Sequence, residues 1–182
     1  MGISSKAKTP TAVSSDAFFF EKDKSRSILV LGVGNYLMGD EGVGVHLIHY
    51  MASADLPEGV DILDGGTGGF LLLNCFEAYR TVIFVDATMD GQPPGTISLL
   101  RPKFASDFPT ALSVHDVGLK DMIEAVYLMD AQPDIHLFTI SVSGITPMTV
   151  DLSPEVEAAI PAAVDRVLTL IEAMQKEITP MA

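Results

Sequence analysis

The run SILVLGVGNYLMGDEGVG, Ser27–Gly44, constrains the fold more than any other stretch. Ile28, Leu29, Val30 and Leu31 form a continuous apolar run, as expected of a strand buried on both faces. Burial on both faces belongs to a sheet covered by helices on each side. Gly32 and Gly34 permit a sharp turn where the strand ends. Asp40 and Glu41 follow that turn, and the apolar period from Val43 to Met51 predicts a helix from about Glu41 to Ala52. Strand, glycine turn, acid and helix make the opening of a parallel βα unit. Such sheets place their ligands just beyond the carboxyl ends of the central strands.

The remainder of the chain repeats the alternation. Val60–Leu63 reads as a second strand, ending in the turn Asp64-Gly65-Gly66-Thr67-Gly68-Gly69, with a helix over Phe70–Phe76. A third strand, Thr81–Val85, is followed by Asp86, and Thr96–Leu100 reads as a fourth. A helix from about Asp116 to Leu128 follows Ser113 as cap. His136–Val142 reads as a fifth strand. Ser153-Pro154-Glu155 starts a last helix that runs to about Gln175. The expected fold class is therefore α/β: a three-layer α/β/α domain with a mostly parallel sheet, over residues 27–175. Residues 1–26, rich in Ser and Thr, are expected to be a flexible extension, and 176–182 a short tail. A chain of 182 residues can bury roughly 70% of its unfolded surface, enough for a core without disulfide staples.

Composition removes several function classes. A net charge of −13 argues against nucleic acid as a partner, which needs a basic face. A single cysteine, Cys75, permits neither an intrachain disulfide nor a thiolate zinc site, and reads as a small buried apolar residue. No apolar run reaches the ~18–20 residues of a membrane span. The cluster Phe18–Phe20 is too short for a signal segment. The expected compartment is the cytoplasm, with no membrane partner.

Three strands or turns end in acid: Glu41 after the first strand, Asp64 after the second and Asp86 after the third. In a parallel sheet all three stand on one edge. Gathered carboxylates repel unless they share a cation or a proton. His115, at the mouth of a later helix, can join them from a neighbouring crossover. Two carboxylates and an imidazole suit a divalent transition metal, with positions left for water or substrate. Ordinary alternatives stand beside each. Asp40 and Glu41 could favour a helix N-terminus, Asp86 could form a strand-end turn, and His115 could be a cap. His46 and His49 share the (i, i+3) spacing of some metal sites, but they flank the apolar face and read as a solvated or packed pair. His136, at a strand start, reads as structural. Gly32-Val33-Gly34 begins a dinucleotide fingerprint, but Leu37 stands where its third glycine is required.

In order and spacing, GVGNYLMGDEGVG, LDGGTGG, VIFVDAT…PPGTISLL and SVHDVGL resemble the nickel-iron hydrogenase maturation endopeptidases. The resemblance runs from Ser27 to about Ile171. It implies a phosphorylase/hydrolase-like fold with a twisted, five-stranded mixed sheet, in which the strand matching Thr96–Leu100 runs antiparallel. It implies an endopeptidase that removes the C-terminal extension of the hydrogenase large-subunit precursor once nickel is loaded. Carried over by motif, the metal ligands fall on Glu41, Asp86 and His115. Asp64 falls on the aspartate that the resemblance implies is important for cleavage or substrate fit, with Gly65, Gly66 and Thr67 beside the substrate. Nickel would arrive with the precursor, other divalent cations could substitute, and the enzyme would act as a monomer. Two alternatives stand beside it: a nickel-sensing chaperone that docks the large subunit without cutting it, and a nucleotide-binding α/β module.

Overall fold

A computed structural model of the chain describes residues 28–73, 78–102, 126 and 133–178. In chain order the elements are β1 (Ile28–Val33), a 3₁₀ turn (Gly39–Gly42), α1 (Val43–Met51), β2 (Val60–Gly66), a second 3₁₀ turn (Gly69–Leu72), β3 (Thr81–Thr88), β4 (Ile97–Leu100), β5 (Asp134–Ser141) and α2 (Pro154–Ile178). The five strands form one sheet in the order β2-β1-β3-β5-β4. β1 pairs in parallel with β2 and β3, and β3 with β5. β4 alone runs antiparallel, against β5. The sheet is thus mixed, as the resemblance implied and as alternation of elements could not show.

Two clusters of buried side chains make the core, one on each face of the sheet. On one face Val30, Ile62, Ile83, Val85 and Ile140 meet Val43, Leu47, Ile48 and Met51 of α1 and Val156, Ile160, Val164, Val167 and Ile171 of α2. Residues of full burial such as Leu47 and Met51 each stabilise the fold by about 1.5–3 kcal/mol through apolar transfer. On the other face Leu29, Leu31, Val82, Phe84 and Leu137 pack with Leu72, Ala78, Tyr79 and Val126. All six residues of β1 are buried, as a strand covered from both sides requires.

The close approach of α1 to the sheet depends on glycine. A Cβ at Gly44 would stand 2.3 Å from the Val85 carbonyl oxygen and 2.4 Å from that of Val33. Any larger residue would lift the helix off β1 and β3. Gly34 has φ +130°, and a Cβ there would meet the Glu41 carbonyl oxygen at 2.0 Å. These two positions fix how the β1 turn folds back beneath the acid pair.

Several boundaries differ from the sequence expectation. The helix predicted from Glu41 begins as the 3₁₀ turn Gly39–Gly42, because the acids must first cross the strand edge before α1 starts. β2 extends beyond Leu63 to Gly66, taking Asp64 into the strand. The segment predicted as a helix from Phe70 starts as the 3₁₀ turn Gly69–Leu72. β5 begins at Asp134 and α2 runs to Ile178, three residues past the expected end at Gln175. Residues 1–26, Cys75, the segment 103–125 and the tail from 179 lie outside the described residues, so the expectations placed on them were not met or missed there. Among the described residues no helix is long and apolar enough to cross a membrane.

Candidate active site

Glu41 and Asp86 lie at the carboxyl edge of the central strands, and both are buried, at 0% and 3% exposure. Glu41 is carried by the 3₁₀ turn after β1 and faces a recess lined by Ala87, Thr88, Met89, Val142 and Ile145. It therefore stands over the end of β3, beside the two residues that follow Asp86. Asp86 pairs with Thr139 of β5, and its Oδ1 accepts from the Ala87 N–H at 2.8 Å. Because Ile83, Val85 and Ala87 pack against α1 and α2, alternation turns Asp86 to the opposite face. Val126 belongs to the stretch predicted as the helix behind His115, and it packs on that same face. His115 itself lies outside the described residues.

Asp40 has a different task from its neighbour. Its Oδ1 accepts from the Ser153 N–H at 2.6 Å and its Oδ2 from the Ser153 hydroxyl at 2.8 Å. Ser153 precedes the first residue of α2, so this acid ties the turn after β1 to the start of the last helix. Spacing alone could not divide the pair. The 3₁₀ turn does so, sending one carboxylate toward α2 and the other over β3.

Asp64 stands apart from the two buried acids. Register places it opposite Gly32, while Asp86 lies one step beyond Val85, the other partner of Gly32. Val60 and Ile62 pack on the α1 face, and alternation puts Asp64 there too. The pairing slips between Gly32 and Val33, leaving Gly65 as a bulge. Bulges re-aim side chains beside active sites. Gly66 closes the turn twice: its N–H donates to Asp64 Oδ1 at 3.0 Å, and its carbonyl accepts from the Gly34 N–H at 3.0 Å. Gly65 is half-buried and Thr67 exposed.

The histidines separate. His46 stacks on Tyr36, with ring centroids 4.6 Å apart. Its burial holds the imidazole below its ordinary value, while a hydrogen bond with the Val150 backbone pulls the other way. His46 lines a groove of about 600 Å³ between α1 and α2, which Glu41, Asp64 and Asp86 do not line. His49 is half exposed and tilted against the same Tyr36 ring, in keeping with a solvated or packed pair, and it has in addition a partner that the sequence did not show. Its Nε2 lies 2.9 Å from Asp64 Oδ2. The right-handed crossover from β1 to β2 lays α1 over β2, which brings together residues 15 apart in sequence. His136 is structural as expected: it is buried, with Nε2 3.0 Å from Asp134 Oδ2.

Sheet order, the antiparallel β4 and the acids at the strand ends define an α/β domain with an acidic carboxyl edge, an architecture shared with solved endopeptidases. The hydrogenase maturating endopeptidase HybD from E. coli superposes with a TM-score of 0.74 at 34% identity, over 81% of this chain and 93% of that one. The HybD [NiFe] hydrogenase maturation protease from Thermococcus kodakarensis superposes at 0.66 with 26% identity, over 79% of this chain and 98% of that one. Among curated proteins, the hydrogenase 2 maturation protease of Escherichia coli is 34% identical over 84% of this chain and 95% of its own length. A family model described as hydrogenase maturation protease matches residues 45–170. The chain belongs to the hydrogenase maturation protease family. It is a peptidase, and the docking-only and nucleotide-binding alternatives give way to that finding.

Proposed function

We propose that this enzyme removes the C-terminal extension of a nickel-iron hydrogenase large-subunit precursor after nickel has been inserted. It would do so in the cytoplasm, as a monomer, with the precursor as its macromolecular partner. The observation that carries this reading is that two carboxylates are buried at the carboxyl edge, Asp86 within β3 and Glu41 beside the end of that strand. Carboxylate oxygens at that edge are donors of the kind a divalent ion takes, and in a hydrogenase maturation protease the substrate can bring such an ion.

Glu41, Asp86 and His115 would reach the precursor's nickel, two oxygen donors and one nitrogen donor suiting such an ion. Only a loaded precursor would then be held in register, so the metal serves as a checkpoint on maturation. Asp64, with its turn of Gly65, Gly66 and Thr67, would meet the chain at the scissile bond and accept a proton from the attacking water. Each Asp64 oxygen already accepts one hydrogen bond and keeps a lone pair for that water.

The test uses purified nickel-loaded precursor, with cleavage followed by gel mobility and docking by titration. Asp64→Asn should slow cleavage by about 100-fold or more, the usual scale of an acid–base step, while docking persists. Glu41→Gln and His115→Ala should weaken docking. Normal cleavage by Asp64→Asn would remove that residue from the mechanism. Unchanged docking in both other variants would remove the metal assignment.

A further inference from the structure

We infer that His49 is a positioning residue for Asp64, holding the carboxylate in the orientation that proton transfer needs. This rests on the reading of Asp64 as the base. The carboxylate is fixed from two sides. Gly66 N–H donates to Oδ1 at 3.0 Å, and His49 Nε2 lies 2.9 Å from Oδ2. An ionised carboxylate only accepts, so the imidazole nitrogen is the donor. With both oxygens held, the side chain cannot rotate about its terminal bond without losing one of them.

His49 is itself held. Tyr36 lies between the two histidines of α1, stacked on His46 and tilted at 57° to His49 with centroids 5.6 Å apart. Tyr36 is set by the β1 turn, where the Asn35 side-chain oxygen accepts from the Leu37 N–H at 3.0 Å and the Asn35 carbonyl from the Met38 N–H at 3.0 Å. The (i, i+3) spacing that suggested a metal pair therefore grips one aromatic ring. A path of contacts runs from the β1 turn through Tyr36 and His49 to Asp64. His49 and Asp64 are about half exposed, at 52% and 43%. A pair so exposed adds little to folding, and its effect should fall on geometry at the carboxylate.

The measurement is steady-state cleavage of nickel-loaded precursor by the full chain and its variants, with thermal unfolding in parallel. His49→Ala should lower kcat about ten-fold, as small misplacements of reacting groups do, with KM nearly unchanged. Its unfolding midpoint should stay within about 3 °C of the parent. His49→Gln keeps an N–H donor at the right reach but cannot act as a base, and it should recover most of the lost rate. A His49→Ala enzyme as fast as the parent, alongside a slow Asp64→Asn, would overturn this inference and leave Asp64 as the base. A His49→Gln enzyme as slow as His49→Ala would overturn it also, making the imidazole the group that moves the proton. Full activity in Asp64→Asn would end the reading of Asp64, and this inference with it. Should His49→Ala fail to fold, His49→Asn, whose amide is too short to reach Oδ2, takes its place with the same expected loss.

Discussion

Replacing Asp40 with alanine removes both acceptors that hold the start of α2. The carboxylate is 7% exposed, so water replaces it poorly. Hydrogen bonds to a charged group contribute about 1.5–3 kcal/mol each. Two that share one side chain are not additive, and a combined loss of about 3 kcal/mol is expected. For a chain of this size each kcal/mol shifts the midpoint by about 2–4 °C, giving a fall of about 6–12 °C. Asp40→Asn keeps an acceptor for the Ser153 N–H and should lose less than half as much. Calorimetry measures the midpoint, and urea unfolding with an unchanged slope would show that the native state, not the denatured one, was altered. An Asp40→Ala protein melting within about 2 °C of the parent would refute the division of labour drawn between Asp40 and Glu41.

Gly44→Ala should destabilise the fold by about 3 kcal/mol or more, since its methyl would press on two backbone carbonyls; urea midpoints test this. Stability should fall with acid in two windows. His46 is held by burial below its ordinary 6.5, so its contribution is complete above that value and declines as the pH drops beneath it. Burial pushes Asp134 up, but hydrogen bonds from His136 and Arg101 outweigh it and hold the carboxyl below its ordinary 3.8. Its contribution is complete above that value and is lost at still lower pH. His46→Gln and Asp134→Asn should flatten the first and second windows of a pH series of unfolding midpoints.

Much of the fold was legible because its signals are local. The apolar run Ile28–Leu31 announced a two-sided strand, and Ser153-Pro154 announced the start of α2, which begins at Pro154. The direction of β4 was not legible from periodicity, since four residues alternate alike whichever way they run; the family resemblance supplied it. The candidate site was legible as a set of acids at strand ends. Their faces were not. Asp64 lies within β2 and Asp86 within β3, one register step apart, and a one-residue offset sends a side chain to the other side of the sheet. The partnership of His49 with Asp64 had only one signal in the chain, a helix leaving β1 with a histidine on its flank and an acid ending the adjacent strand. That signal becomes readable only once β1 and β2 are known to be neighbours.

The link from Asp40 to Ser153 spans 113 residues, and this sets a clock for synthesis. At roughly 5–20 residues per second, those residues take about 6–23 s to emerge from a ribosome. Throughout that interval the acidic turn is out in solution without its far clamp. The nascent chain therefore cannot hold a finished acidic edge until the helix that begins at Pro154 has been released.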